Sequence, residues 1–101
     1  MKYYHATRIF NIPSIYEKGL LKGIDGGIYL ADTPTNASKF LLVRGITDFA
    51  ILPLEIEDTE NIEESYDHSE SFFGCKAWLY CNDIPVNKLP KIDDILINNS
   101  I

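Results

Sequence analysis

The residues best suited to chemistry stand near the start of the chain, where the polar triplet His5-Ala6-Thr7 closes a first strand and runs directly into a helix start. Strand ends that face helix starts are common ligand positions, because exposed amides there can meet an anionic or carboxamide group. A second source of chemistry is the acidic stretch that holds Glu55, Glu57, Asp58, Glu60, Glu63, Glu64, Asp67 and Glu70. Clustered like charges seek water, so its plain reading is a solvated loop; its sharper reading is an acidic face that meets a basic protein or supplies one catalytic carboxylate. Other chemistries find no footing. The histidines lack metal-ligand spacing, and the glycine-rich pieces lack the Gly-Lys-Ser/Thr ending of a phosphate loop. Each singled-out residue also has an ordinary role: His5 as a surface histidine bonded to backbone, Tyr29 as strand packing with its hydroxyl at the rim, and Glu70 as a solvated charge.

The elements that must position these residues follow from local pattern. Tyr3 to Thr7 is aromatic and β-branched enough for a strand. Asn11-Ile12-Pro13-Ser14 then offers a helix start, with Asn11 as cap and Pro13 in the first turn. Ile12, Ile15 and Tyr16 fit one buried face of that helix, and Gly19 is its stop. Lys22 to Gly27 reads as a loop. Gly27 to Ala31 predicts a compact strand ended by the turn Asp32-Thr33-Pro34. Thr35 or Asn36 can cap a second helix with Ala37, Phe40, Leu41 and Val43 inward, ended by Gly45. Asp48 to Ile56 predicts a strand that Pro53 places near an edge or bulge. After the acidic loop, Phe72 to Cys81 shows the period-two pattern of a long strand. Ile84-Pro85-Val86 and Leu89-Pro90-Lys91-Ile92 are extended, proline-broken segments, and the tail adds a last short strand or frays.

Length and composition bound the rest. A chain of 101 residues is one domain, 1–101, because a division would leave neither half enough apolar surface for a core. Hydrophobic residues at 46% with charged ones at 24% give an ordinary globular balance. The formal net charge of -6 disfavours nucleic-acid binding through charge, since Lys and Arg must neutralise phosphates. Cys75 and Cys81 are too few for a secreted disulfide framework and fit free thiols in a reducing cytoplasm. No apolar run reaches signal-peptide or membrane-span length, so a cytoplasmic location away from membranes is expected.

The order and spacing of several pieces resemble a known superfamily. Tyr4-His5-Ala6-Thr7, then Ile12-Pro13-Ser14-Ile15 with Gly19-Leu20, then Gly27-Ile28-Tyr29-Leu30-Ala31-Asp32 and Ala37, is similar to the N-terminal half of ADP-ribosyltransferase-like domains. Ala77-Trp78-Leu79-Tyr80 with Ile84-Pro85 resembles the later strand and Ile-Pro segment of compact members of the His-Tyr-Glu branch, among them small phage-encoded anti-CRISPR transferases.

That resemblance implies an α+β fold of split, strongly bent β-sheets with two short helices and NAD, as substrate, in the cleft between the sheets. His5, Ala6, Thr7, Tyr29 and Phe40 become the cofactor-binding residues, with Tyr29 stacking on nicotinamide. Ala6 replaces the commoner glycine and narrows backbone approach by a methyl group. The third element of the branch is an acid before a late strand, which stabilises the positive ribose left when nicotinamide departs. Gly74-Cys75-Lys76-Ala77 stands directly before Trp78, so Glu70 takes the catalytic role beside Tyr29, with Asp67 second. The expected activity is NAD-dependent mono-ADP-ribosyl transfer to a protein or nucleic-acid acceptor. The alternative is an inactive module of the same fold that binds a partner protein or a nucleotide-like ligand. An acidic chain of this kind would meet a basic protein partner. The superfamily's RNA 2′-phosphotransferase activity fits poorly, because only Arg8 and Arg44 lie near the elements that would hold phosphate.

Overall fold

The computed structural model describes residues 2–22, 27–64 and 77–99. Its longest ladder joins β1 (Lys2–Arg8) to β3 (Asp48–Glu55), antiparallel from Lys2↔Glu55 to Arg8↔Phe49. The short last strand, β6 (Leu96–Asn99), adds to the far side of β3 from Asp48↔Asn99 to Ile51↔Leu96. Strand alternation then sorts the side chains into two clusters. Tyr3, Ala50, Leu52 and Leu54 face one way and pack with Ile15 and Leu20. Ala6, Phe49 and Ile51 face the other way and pack under Ala37, Phe40 and Leu41.

Pro53 lies in the central strand of this sheet, and the ladder shows why it is tolerated. Tyr4, its partner across β1, sends its N–H and C=O to Ala31 instead, 2.9 Å each. Pro53's missing N–H therefore points to the β6 side, where β6 has already ended opposite Ile51. The edge expected from the sequence is local to the end of the strand.

The second sheet runs β2 (Ile28–Leu30), β5 (Trp78–Tyr80), β4 (Ile62–Glu64), all antiparallel. Single bridges link it to its surroundings: Tyr4↔Ala31 ties β1 to the end of β2, and Leu20↔Ile84 ties the segment after the first helix to the segment after β5. The rings of Tyr3 and Trp78 meet edge to face at 5.7 Å between the sheets. Among the described residues, two helices and two three-stranded sheets, neither closed into a barrel, make the fold α+β.

Helix α1 (Ile12–Lys18) starts at Asn11 as expected, but the Asn11 side chain makes no cap and instead donates to Thr7 Oγ1 at 3.1 Å. Helix α2 (Pro34–Leu42) is capped by Thr33, whose hydroxyl accepts from the Asn36 N–H at 3.1 Å, and not by Thr35 or Asn36. Pro34 decides this, because its fixed φ and absent N–H suit the first helical position. Val43, expected inward, is 52% exposed just past the helix. Thr33→Ala is expected to lower unfolding free energy by about 1 kcal/mol, read as a lower urea midpoint at unchanged slope.

The acidic stretch is not wholly a loop: Thr59–Asn61 forms a 3-10 turn and Ile62–Glu64 is β4, with Glu63 and Glu64 exposed on an edge strand. The long strand expected from Phe72 lies outside the described residues up to Lys76, and β5 ends at Tyr80, one residue before Cys81. No helix among the described residues is long and apolar enough to cross a membrane.

Candidate functional site

Among the described residues, β1 and the end of β2 share one backbone bridge. Tyr4 and Ala31 exchange two hydrogen bonds, so the next such pair of a continued antiparallel ladder would be Ala6 with Tyr29. That pair does not form. The Tyr29 carbonyl is instead taken by the His5 ring, Nδ1 to O at 2.8 Å. A carbonyl only accepts, so Nδ1 carries the proton, and in the neutral ring Nε2 is left as an acceptor. The imidazole thus bridges β1 to β2 at the place where the two sheets part.

A cavity of about 430 Å3 opens at that parting. His5 and Thr7 line it from β1, Tyr29 from β2, and Asn11 and Ser14 from the start of α1, with Leu20 and Leu21 below. Thr7 is 7% exposed and its oxygen receives the Asn11 amide, which leaves the Thr7 hydroxyl hydrogen to donate. Polar groups therefore converge on an otherwise apolar hollow, within the size range of small-ligand sites.

Of the residues singled out in the sequence, His5, Thr7 and Tyr29 border this cavity. The Tyr29 side chain also packs against the cluster beneath α2. Ala6 and Phe40 belong to that same cluster, each 9% exposed, and neither lines the cavity, because alternation along β1 turns Ala6 away from His5 and Thr7. Glu70 and Asp67 lie outside the described residues. Ala77, directly before β5, is fully buried in the α2 cluster. Cys81 is a free thiol, and Cys75 lies outside the described residues. Among the described residues no group of three His, Cys, Asp or Glu side chains could hold a metal ion.

Two features escaped the sequence reading. Asn11 and Ser14 were legible as a helix start and not as cavity wall. The other is a hydrogen-bonded knot around Asp58, whose carboxylate accepts from the Tyr80 hydroxyl at 2.7 and 2.8 Å, from Asn61 at 2.9 Å and from Asn82 at 3.4 Å. Asn61 is three positions away, but Tyr80 and Asn82 are 22 and 24 positions away, and no local spacing announces them.

Burial lowers the His5 pKa from its ordinary 6.5, against a smaller upward pull from the Tyr29 carbonyl. The folded state then binds the proton less readily than the unfolded chain. The stability tied to neutral His5 is present in full above about pH 6.5 and is lost as pH falls from there through the depressed folded value. Urea unfolding between pH 7.5 and 5.5 should show stability declining by at most about 1.4 kcal/mol per pH unit from this one group. His5→Gln should flatten that part of the profile.

No model of a known protein family matches the chain, and no curated protein does.

Proposed function

We propose that the cavity between β1 and β2 takes NAD and that the protein is an NAD-dependent mono-ADP-ribosyltransferase acting in the cytoplasm on a protein or nucleic-acid acceptor. The observation that carries the reading is the parting of β1 from β2 after one bridge, with His5 set in the gap and its Nε2 left as an acceptor. A sugar hydroxyl donates to such a nitrogen, and the Thr7 hydroxyl can donate to an oxygen of the same ligand. These groups fit a polar, hydroxyl-bearing nucleotide better than an apolar ligand. In the reaction the bond between nicotinamide and ribose C1′ breaks, nicotinamide leaves with the electron pair, and an acceptor nucleophile attacks C1′ and gives up its proton. The chain's part is to orient the dinucleotide, exclude water and place a carboxylate, Glu70 in this reading, near the positive ribose.

A second reading is a binding module without turnover. It is favoured by Ala77, which stands buried and apolar directly before β5, where the branch normally carries its acid. Chromatography of NAD incubated with the purified protein separates the two. Nicotinamide release above the protein-free rate supports the transferase, and NAD binding without release supports the module.

A further inference from the structure

Each three-stranded sheet has two outer strands, β1 and β6 in one and β2 and β4 in the other. β1 and β2 are linked to each other by the Tyr4↔Ala31 bridge, so among the described residues the edges with neither strand nor bridge beside them are those of β4 and β6. The two differ in charge. β4 presents exposed Glu63 and Glu64, and charges of this kind guard an edge against further strand pairing. β6 has no such guard: Ile95 to Ile101 includes no Asp, Glu, Lys, Arg or His.

Backbone alternation shows what β6 offers. Tyr4 gives its N–H and C=O to Ala31, so Tyr3, His5 and Thr7 direct theirs to Leu54, Leu52 and Ala50 of β3. The intervening residues of β3, Ile51 and Phe49, then face β6 and engage Leu96 and Asn98. Ile97 and Asn99 are left with N–H and C=O directed outward, where no described strand pairs with them. Leu96 is 49% exposed and Ile97 56%. The groove between β6 and the start of α2, where Pro34, Thr35 and Ser38 lie beside Leu96 and Asn98, also has no ionisable side chain.

We infer that β6 pairs with β6 of a second copy of this chain, antiparallel across a two-fold axis at Ile97. Each Ile97 exchanges both backbone hydrogen bonds with its counterpart, and Leu96 stands opposite Asn98 of the partner subunit. Charge selects this occupant. A chain of net charge -6 repels its own copy over most of its surface, and an uncharged edge is where two copies meet with least repulsion. A basic partner would find no acid on this seam to pair with. Self-pairing also sets two exposed isoleucines directly opposite on one sheet face, a favourable cross-strand pair. The strand has four residues, so the interface is small and the dimer is weak. The inference stands apart from the NAD reading and uses no residue that lines the His5 cavity.

Sedimentation equilibrium of the purified protein between about 1 μM and about 1 mM tests it. The average mass should rise from one chain toward two across that range. Amide hydrogen exchange should slow at Ile97 and Asn99 as concentration rises, while Leu96 and Asn98, bonded to β3 in either state, change little. Ile97→Lys and Ile97→Glu each set like charges opposite one another and should weaken association about fivefold or more. Mixed in equal parts, the two variants set opposite charges together and should associate more tightly than either does alone. Ile97 is exposed, so both variants should keep the dispersed spectrum of the folded chain. A mass of one chain throughout, association of Ile97→Lys as tight as that of the unchanged protein, or a mixture no tighter than the separate variants would each overturn the inference.

Discussion

Gly19→Ala is expected to destabilise the protein by about 3 kcal/mol, the upper range for a side chain forced into sparsely populated backbone space, with a steric clash added. Gly19 ends α1 at φ 92°, ψ 170°, a region open in practice only to glycine. An added Cβ would also lie 2.6 Å from the Ile84 carbonyl oxygen, the same oxygen that accepts from the Leu20 N–H at 2.8 Å. Backbone stands in the way, so no side chain can swing aside. The affected bridge, Leu20↔Ile84, ties the floor of the His5 cavity to the segment after β5. Gly45 is the internal control. It too has a positive φ, 76°, but nothing lies within 4 Å of an added Cβ, so Gly45→Ala should lose only about 1 kcal/mol. Urea unfolding of the two variants should give clearly unequal midpoints, and equal losses would contradict this account of Gly19.

If the protein is the proposed transferase with Glu70 beside the ribose, Glu70→Gln should cut nicotinamide release by about 100-fold or more while changing NAD affinity by less than about twofold, because a carboxylate in that role would act mainly on charge that develops as nicotinamide leaves. Tyr29→Ala should show the reverse split. In that reading its contact with NAD is made in the bound state already, so affinity should fall by about tenfold and turnover of the bound NAD should change less. Rate and affinity measured separately for both variants check the pair. Nicotinamide release by Glu70→Gln as fast as by the unchanged protein would contradict the role proposed for Glu70.

The sequence was most legible where one local rule acts alone. Aromatic and β-branched content marked β1, alternating and continuous apolar residues marked β3, and Gly19 marked the end of α1. It was less legible where two signals compete. Thr33, Thr35 and Asn36 can all cap a helix, and only the proline at position 34 selects Thr33. Glu63 and Glu64 argue for a loop by charge, yet an edge strand leaves both exposed and needs only backbone pairing with Trp78 and Leu79.

The site followed the same division. His5, Thr7 and Tyr29 were visible as residue types in order along the chain. Their arrangement depends on β1 and β2 parting after one bridge, a long-range event that no window of sequence contains. The same holds for the Asp58 knot, whose partners come from the turn before β4, from β5 and from the segment after β5.

The central claim is that the hollow at His5 binds NAD, and calorimetric titration of NAD into the purified protein tests it most directly. The account predicts saturable one-to-one binding below about 1 mM, the upper end of ordinary substrate affinities, weakened at least tenfold by His5→Ala in a chain that remains folded. Absence of binding at that concentration, or equal affinity in the His5→Ala variant, would contradict it.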